Sequence, residues 1–155
     1  MIDIEIEDPS WLEVDENLEN LARISASATL SQFAADGDVA ILLTNDAKLA
    51  ELNAIFRSQA KPTNVLAFPA GGGMEDHLGD IALAFSVCAS EAKTQGKSLS
   101  DHLQHLVTHG VLHLLGYDHE TDAQASEMEG LERVILAGLG ISDPYAAERG
   151  DDGQF

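Results

Sequence analysis

The residues best suited to chemistry lie in one stretch, D-H-L-Q-H-L-V-T-H-G-V-L-H-L-L-G-Y-D-H at 101–119, which holds every histidine of the chain except His77. At about 100° per residue, His102, His105, His109 and His113 fall within an arc of about 80° on a helix. Leu103, Val107, Val111 and Leu114 fall on a different arc, suited to a core. An ordinary amphipathic helix would carry Lys and Glu where this one carries imidazoles. His109 and His113 are four residues apart, so their rings lie one turn apart on one face and can reach a common ion. Gly116 can end the helix in a left-handed conformation that a Cβ resists. A chain doubling back there brings His119 to the same point. Three neutral imidazoles around one ion, with a fourth position open, is the arrangement of a catalytic zinc site. Such ligands leave the ion its full charge, which can lower the pKa of water toward about 7 or hold a phosphate oxygen. A structural site usually closes with a further protein ligand, often a cysteine, and Cys88 is the only thiol here.

The remaining candidates are less pointed. His102 and His105 share the arc but lie one or two turns farther from the bend, and both a packing role and a functional one stay open for them. His77, in a Gly-rich acidic segment, is expected to be solvated. The spacing H-x-x-x-H-x-x-G-x-x-H also matches the ligand pattern of the metzincin metalloproteases. Those enzymes place a glutamate directly after the first histidine as general base. Here that position is Gly110, which can neither take nor give a proton, so peptide hydrolysis becomes the alternative rather than the reading. Asp118, between Tyr117 and His119, can either orient a ligand imidazole through that ring's free N–H or cap the turn, and Asp80 is a weaker candidate for taking a proton.

A metal site at the end of a helix needs a scaffold to hold it. Ile2–Glu7 alternates isoleucines with acids and reads as a half-buried strand. Val39–Leu43, Asn64–Phe68 and Asp80–Phe85 are short, apolar and expected to be buried on both faces. Helices are expected over Glu16–Ala35, from a cap at Asn45 or Asp46 through Phe56, over Ser86–Thr94 before Gly96, from Ser98 or Ser100 to Gly116, and over Asp122–Ala137 before Gly138. The Gly71-Gly72-Gly73 run reads as a flexible loop. The pattern implies a single α/β (α+β) domain over 1–140, with a small, mostly parallel four-stranded sheet flanked by about five helices. Residues 141–155 read as a flexible tail.

Composition narrows the function. The 155 residues are 45% hydrophobic and 23% charged, an ordinary globular balance and enough for one domain. Eight Lys and Arg against 27 Asp and Glu give a formal charge of −19, which excludes a generally cationic nucleic-acid coat. The acids concentrate at the two ends, while residues 21–119 are far closer to balance and carry all the histidines. An anionic substrate can therefore be met locally. The start M-I-D-I-E-I-E-D lacks the basic and apolar regions of a signal peptide, and no run of 18 apolar residues exists. The expectation is a soluble, cytoplasmic protein with no membrane partner. Eight aromatic residues leave little for an extended base-stacking platform.

H-G-V-L-H-L-L-G-Y-D-H at 109–119 resembles the signature of the YbeY family, bacterial rRNA maturation factors that act as metal-dependent endoribonucleases. F-R-S-Q-A-K-P-T-N-V-L-A-F-P at 56–69 is similar to that family's F-R-x-x-x-x-P-T-D-V-L-S-F-P, and L-G-D-I at 78–81 resembles its L-G-D-I strand. The similarity runs over most of 40–135. The departures are Asn64 where Asp is usual and Ala67 where Ser is usual. The resemblance implies that His109, His113 and His119 bind one Zn2+ ion and that Arg57 is a catalytic and substrate-binding cleft residue. A guanidinium suits that role, since its planar fork is always charged and matches phosphate. Lys61, four residues on, either extends the cationic edge or is simply solvated. The implied substrate is single-stranded RNA, notably the 3′ end of 16S rRNA, with a role in ribosome quality control. Implied partners are the small ribosomal subunit, one of its proteins and the GTPase Era, with no DNA. A third possibility is a non-catalytic assembly factor in which zinc only holds the helix bend.

Overall fold

The computed structural model describes residues 1–57, 63–70 and 77–145. Among them the order is β1 (Ile2–Ile6), α1 (Ser10–Val14), α2 (Leu18–Gln32), β2 (Asp38–Thr44), α3 (Asp46–Arg57), β3 (Val65–Pro69), β4 (His77–Ala84), α4 (Phe85–Gln95), α5 (Leu99–Leu114) and α6 (Asp122–Gly138). The strands form one sheet in the order β1-β2-β4-β3. β1, β2 and β4 run parallel, and β3 runs antiparallel to β4 at the edge. The single α/β domain with a small, mostly parallel sheet is as the sequence implied.

Several boundaries differ for physical reasons. α1 was not expected: it is five residues long with one buried side chain, too short to show a period. That side chain is Trp11, whose indole N–H donates to the Thr44 carbonyl at 2.9 Å and whose ring meets Phe85 edge-on. β3 lies at the sheet edge, yet Val65 and Ala67 pack into the main core and Leu66 and Phe68 into a second cluster with Leu49 and Ala82, so both its faces are covered as expected. α6 runs through Gly138, and the left-handed residue beyond it is Gly140 at φ +80°. The Gly71–Gly73 run lies outside the described residues. Of the expected flexible tail 141–155, residues 143–145 are held against α6 by Arg133–Asp143 and Tyr145–Glu132 contacts, and 146–155 lie outside the described residues.

α5 is the central element. Its N-cap is Ser98, which accepts from the Asp101 N–H at 3.0 Å. Leu103, Val107, Val111 and Leu114 enter the main core with Ile41, Leu43, Ile81 and Leu83 of the sheet and with Leu18, Ala22 and Ala26 of α2. Each buried Leu, Ile or Val among them contributes about 1.5–3 kcal/mol. Two glycines let this helix lie close on the sheet. A Cβ on Gly110 would sit 3.0–3.3 Å from three Ile81 side-chain carbons. A Cβ on Gly79, at φ +152°, would come within 2.6 Å of Leu114 Cδ2 and against the Phe68 carbonyl oxygen. The L-G-D-I strand thus seats the last turn of the histidine helix.

Candidate metal centre

The site is built where α5 stops. Leu115 is the C-cap and Gly116 takes φ +104°. The Gly116 N–H donates to His113 O at 3.0 Å, and the Tyr117 N–H donates to Leu112 O at 3.0 Å. This pair of bonds is the Schellman closure expected of a helix ending in a left-handed residue. Nothing lies within 4 Å of where a Gly116 Cβ would be, so the backbone conformation alone calls for glycine. The reversal brings residues 117–119 back beside the last turn of α5.

His109, His113 and His119 converge there, each offering one ring nitrogen, with the three nitrogens within 4.8 Å of one another. His109 Nε2 and His113 Nε2 are 3.2 Å apart. Two nitrogens bound tetrahedrally at about 2.0–2.1 Å from one ion would be separated by about 3.4 Å, so the spacing fits a first-row divalent cation. His119 is exposed, and the trio opens onto a cleft of ≈ 880 Å³. Burial pushes the His113 imidazole down to about 4, with His109 and His119 adding to the effect, so the ring is neutral and its lone pair available. Cys88 is buried elsewhere in the core, and burial pushes its thiol up, so it stays protonated.

Behind His109 lies a residue that the sequence reading missed. Glu132 of α6 has a fully buried side chain, and its Oε2 accepts from His109 Nδ1 at 2.7 Å. Its Oε1 is 2.7 Å from His105 Nε2. Burial alone would raise this carboxyl, but the hydrogen bonds from His105 and His109 outweigh it and hold it down at about 2. The available signal was an acid in a buried row: 128, 132 and 136 are spaced one turn apart, and Met128 and Leu136 are both buried.

The other candidates sort by their surroundings. His105 is buried on Glu132, and His102 is buried with Nε2 2.8 Å from Glu91 Oε1, so neither reaches the trio. Glu91 lines the cleft and also accepts from Asn64 Nδ2 at 3.0 Å. An aspartate at 64 would set two carboxylates against each other, whereas the amide donates. Asp118 lines the cleft, and its Oδ1 accepts the His119 N–H at 2.7 Å, the turn-capping half of what was expected. That bond is the main reason its carboxyl lies below the usual range. Asp80 is exposed, 3.2 Å from His77, and is not among the residues lining this cleft. His77, expected to be solvated, is half-buried as the first residue of β4. Arg57 is the last residue of α3, of which the backbone is described, and Asn53, one turn earlier on that helix, lines the cleft. Lys61 lies outside the described residues.

Gly110 also lines the cleft. A Cβ there would press on the Ile81 side chain at 3.0–3.3 Å, so glycine is the residue that fits this contact without displacing Ile81.

Comparison with known proteins gives a consistent result. The family model for Endoribonuclease YbeY matches residues 3–140. The Endoribonuclease YbeY of Jannaschia sp. (strain CCS1) is 47% identical over 160 residues, covering 93% of this chain and 99% of that protein. The protein of the same name from Paramagnetospirillum magneticum is 45% identical, covering 95% and 96% respectively. Among solved structures, TM1509 from Thermotoga maritima aligns over the whole of both chains with a TM-score of 0.56 and 26% identity.

Proposed function

The chain belongs to the YbeY endoribonuclease family, and on that premise we propose that it is a zinc-dependent, single-strand-specific endoribonuclease acting on the 3′ end of 16S rRNA in maturation and quality control. The observation that carries the reading is the convergence of the His109, His113 and His119 nitrogens at an open cleft. These three residues would hold the ion, whose positive charge would assist attack on phosphorus and offset charge developing on the phosphate oxygens. Three imidazoles suit Zn2+, and a set without thiolate or carboxylate leaves the cation uncompensated for an anionic substrate.

Arg57 would grip the phosphate. Its support is the position of Asn53, which lines the cleft one helical turn before it. Glu91 and Asp118 are carboxylates, so they suit hydrogen-bond donors of the substrate and repel its phosphates. The −19 charge fits weak RNA affinity in isolation, with specificity coming from the ribosomal small subunit, one of its proteins and Era, in the cytoplasm. Among the described residues no helix is long and apolar enough to cross a membrane.

Metal analysis of the purified protein, joined to a single-stranded RNA cleavage assay, tests this. Bound zinc, cleavage abolished by chelator, and loss of cleavage in both His109→Ala and Arg57→Ala with folding retained are expected. Undiminished cleavage by His109→Ala would overturn the reading. An inactive wild type whose His109→Ala variant unfolds would favour a purely structural ion.

A further inference from the structure

Beyond the three ligands, the polar network behind His109 reaches a part of the chain outside the 3–140 span that the family model matches. Glu132 Oε1 accepts from the Tyr145 hydroxyl at 2.5 Å, as well as lying 2.7 Å from His105 Nε2. The Tyr145 ring packs edge-on against His105, with centroids 5.3 Å apart, and the Arg133 guanidinium lies over the Tyr145 ring at 5.4 Å. Arg133 Nε also donates to Asp143 at 3.2 Å, and Asp143 Oδ1 accepts the Tyr145 N–H at 2.8 Å. Residues 143–145 are therefore fastened to α6 at several points, and the tyrosine hydroxyl is delivered onto a carboxylate with no exposed surface.

We infer that Glu132 is a positioning residue for His109 and that Tyr145, through Glu132, acts as a strap by which the segment after α6 tunes metal affinity. The inference rests on the proposed metal site. Glu132 Oε2 lies 2.7 Å from His109 Nδ1, and a proton carried on that nitrogen and donated to the carboxylate leaves the Nε2 lone pair facing His113 Nε2 and the cleft. The carboxylate also makes the imidazole a stronger donor to a cation. His105 and Tyr145 share the other oxygen, so together they hold the carboxylate plane in the one orientation that serves His109.

The test uses the full-length protein and Zn2+ in competition with a chromophoric chelator, alongside 15N NMR of the histidine rings in the metal-free state. Glu132→Gln keeps the shape but removes the charge and places a donor among donors; it is expected to weaken zinc binding roughly 10–100-fold. Tyr145→Phe keeps the ring and removes one hydrogen bond; it is expected to weaken binding roughly 2–10-fold. Its thermal unfolding should stay close to wild type, and it serves as the deciding variant if Glu132→Gln does not fold. In wild type the His109 ring should be the Nδ1–H tautomer before any metal is added. A merely structural role would lower stability and leave affinity and tautomer unchanged. Folded variants with wild-type affinity, or an Nε2–H tautomer at His109, would overturn the inference while leaving the three-histidine site intact. If wild type bound no zinc, the metal site itself would fail and the strap's role in affinity with it; the tautomer would then show only whether Glu132 orients the ring.

Discussion

The two halves of α5 carry histidines on one arc and put them in opposite surroundings. In the first half, His102 and His105 are buried, each with Nε2 on a carboxylate from a neighbouring helix, Glu91 or Glu132. In the second half, His109 and His113 reach a cleft, with Nε2 atoms turned toward each other and toward His119. Side-chain type and helical phase are the same in both halves. What differs is what covers them: α4 and α6 close over the first pair, while the chain reversal at Gly116 leaves the second pair open. A histidine becomes a candidate ligand here because its lone pair has somewhere to go, and a packing residue where a carboxylate already engages the same nitrogen.

That contrast can be broken from the largest effect downward. His113→Ala should remove metal binding, and with it several kcal/mol of assistance to the reaction, roughly 10³-fold or more in rate, while circular dichroism stays native. Gly79→Ala should cost about 2–4 kcal/mol in denaturant unfolding, since a Cβ there meets Leu114 and a strand backbone at positive φ. His102→Leu should cost about 1–2 kcal/mol by leaving Glu91 one donor short, and zinc affinity should not change. If it falls as far as in His113→Ala, the division of α5 into two halves is wrong. Gly116→Ala should cost about 1 kcal/mol from backbone conformation alone, visible as a small drop in Tm.

The trio, the bend and the core arc of Leu103, Val107, Val111 and Leu114 were legible because they follow from local spacing on one helix. The order of strands was less so, since only the alternation of β1 and the apolar runs of β2 and β4 mark them. Glu132 went unread because its partners are 23 and 27 residues away, and an acid in α6 looks solvated until the helix is packed. Sequence separation likewise hid the setting of Gly110, whose backbone lies against the Ile81 side chain of β4. Trp11 shows the limit for short elements, where one buried ring holds a helix that has no period.

The most direct test is X-ray absorption at the zinc edge of the metal-loaded protein. Three imidazole nitrogens at about 2.0–2.1 Å with a light atom in the remaining position is the result expected from His109, His113 and His119 at an open cleft. A sulfur neighbour, a fourth histidine, or a fully protein-enclosed ion would contradict it.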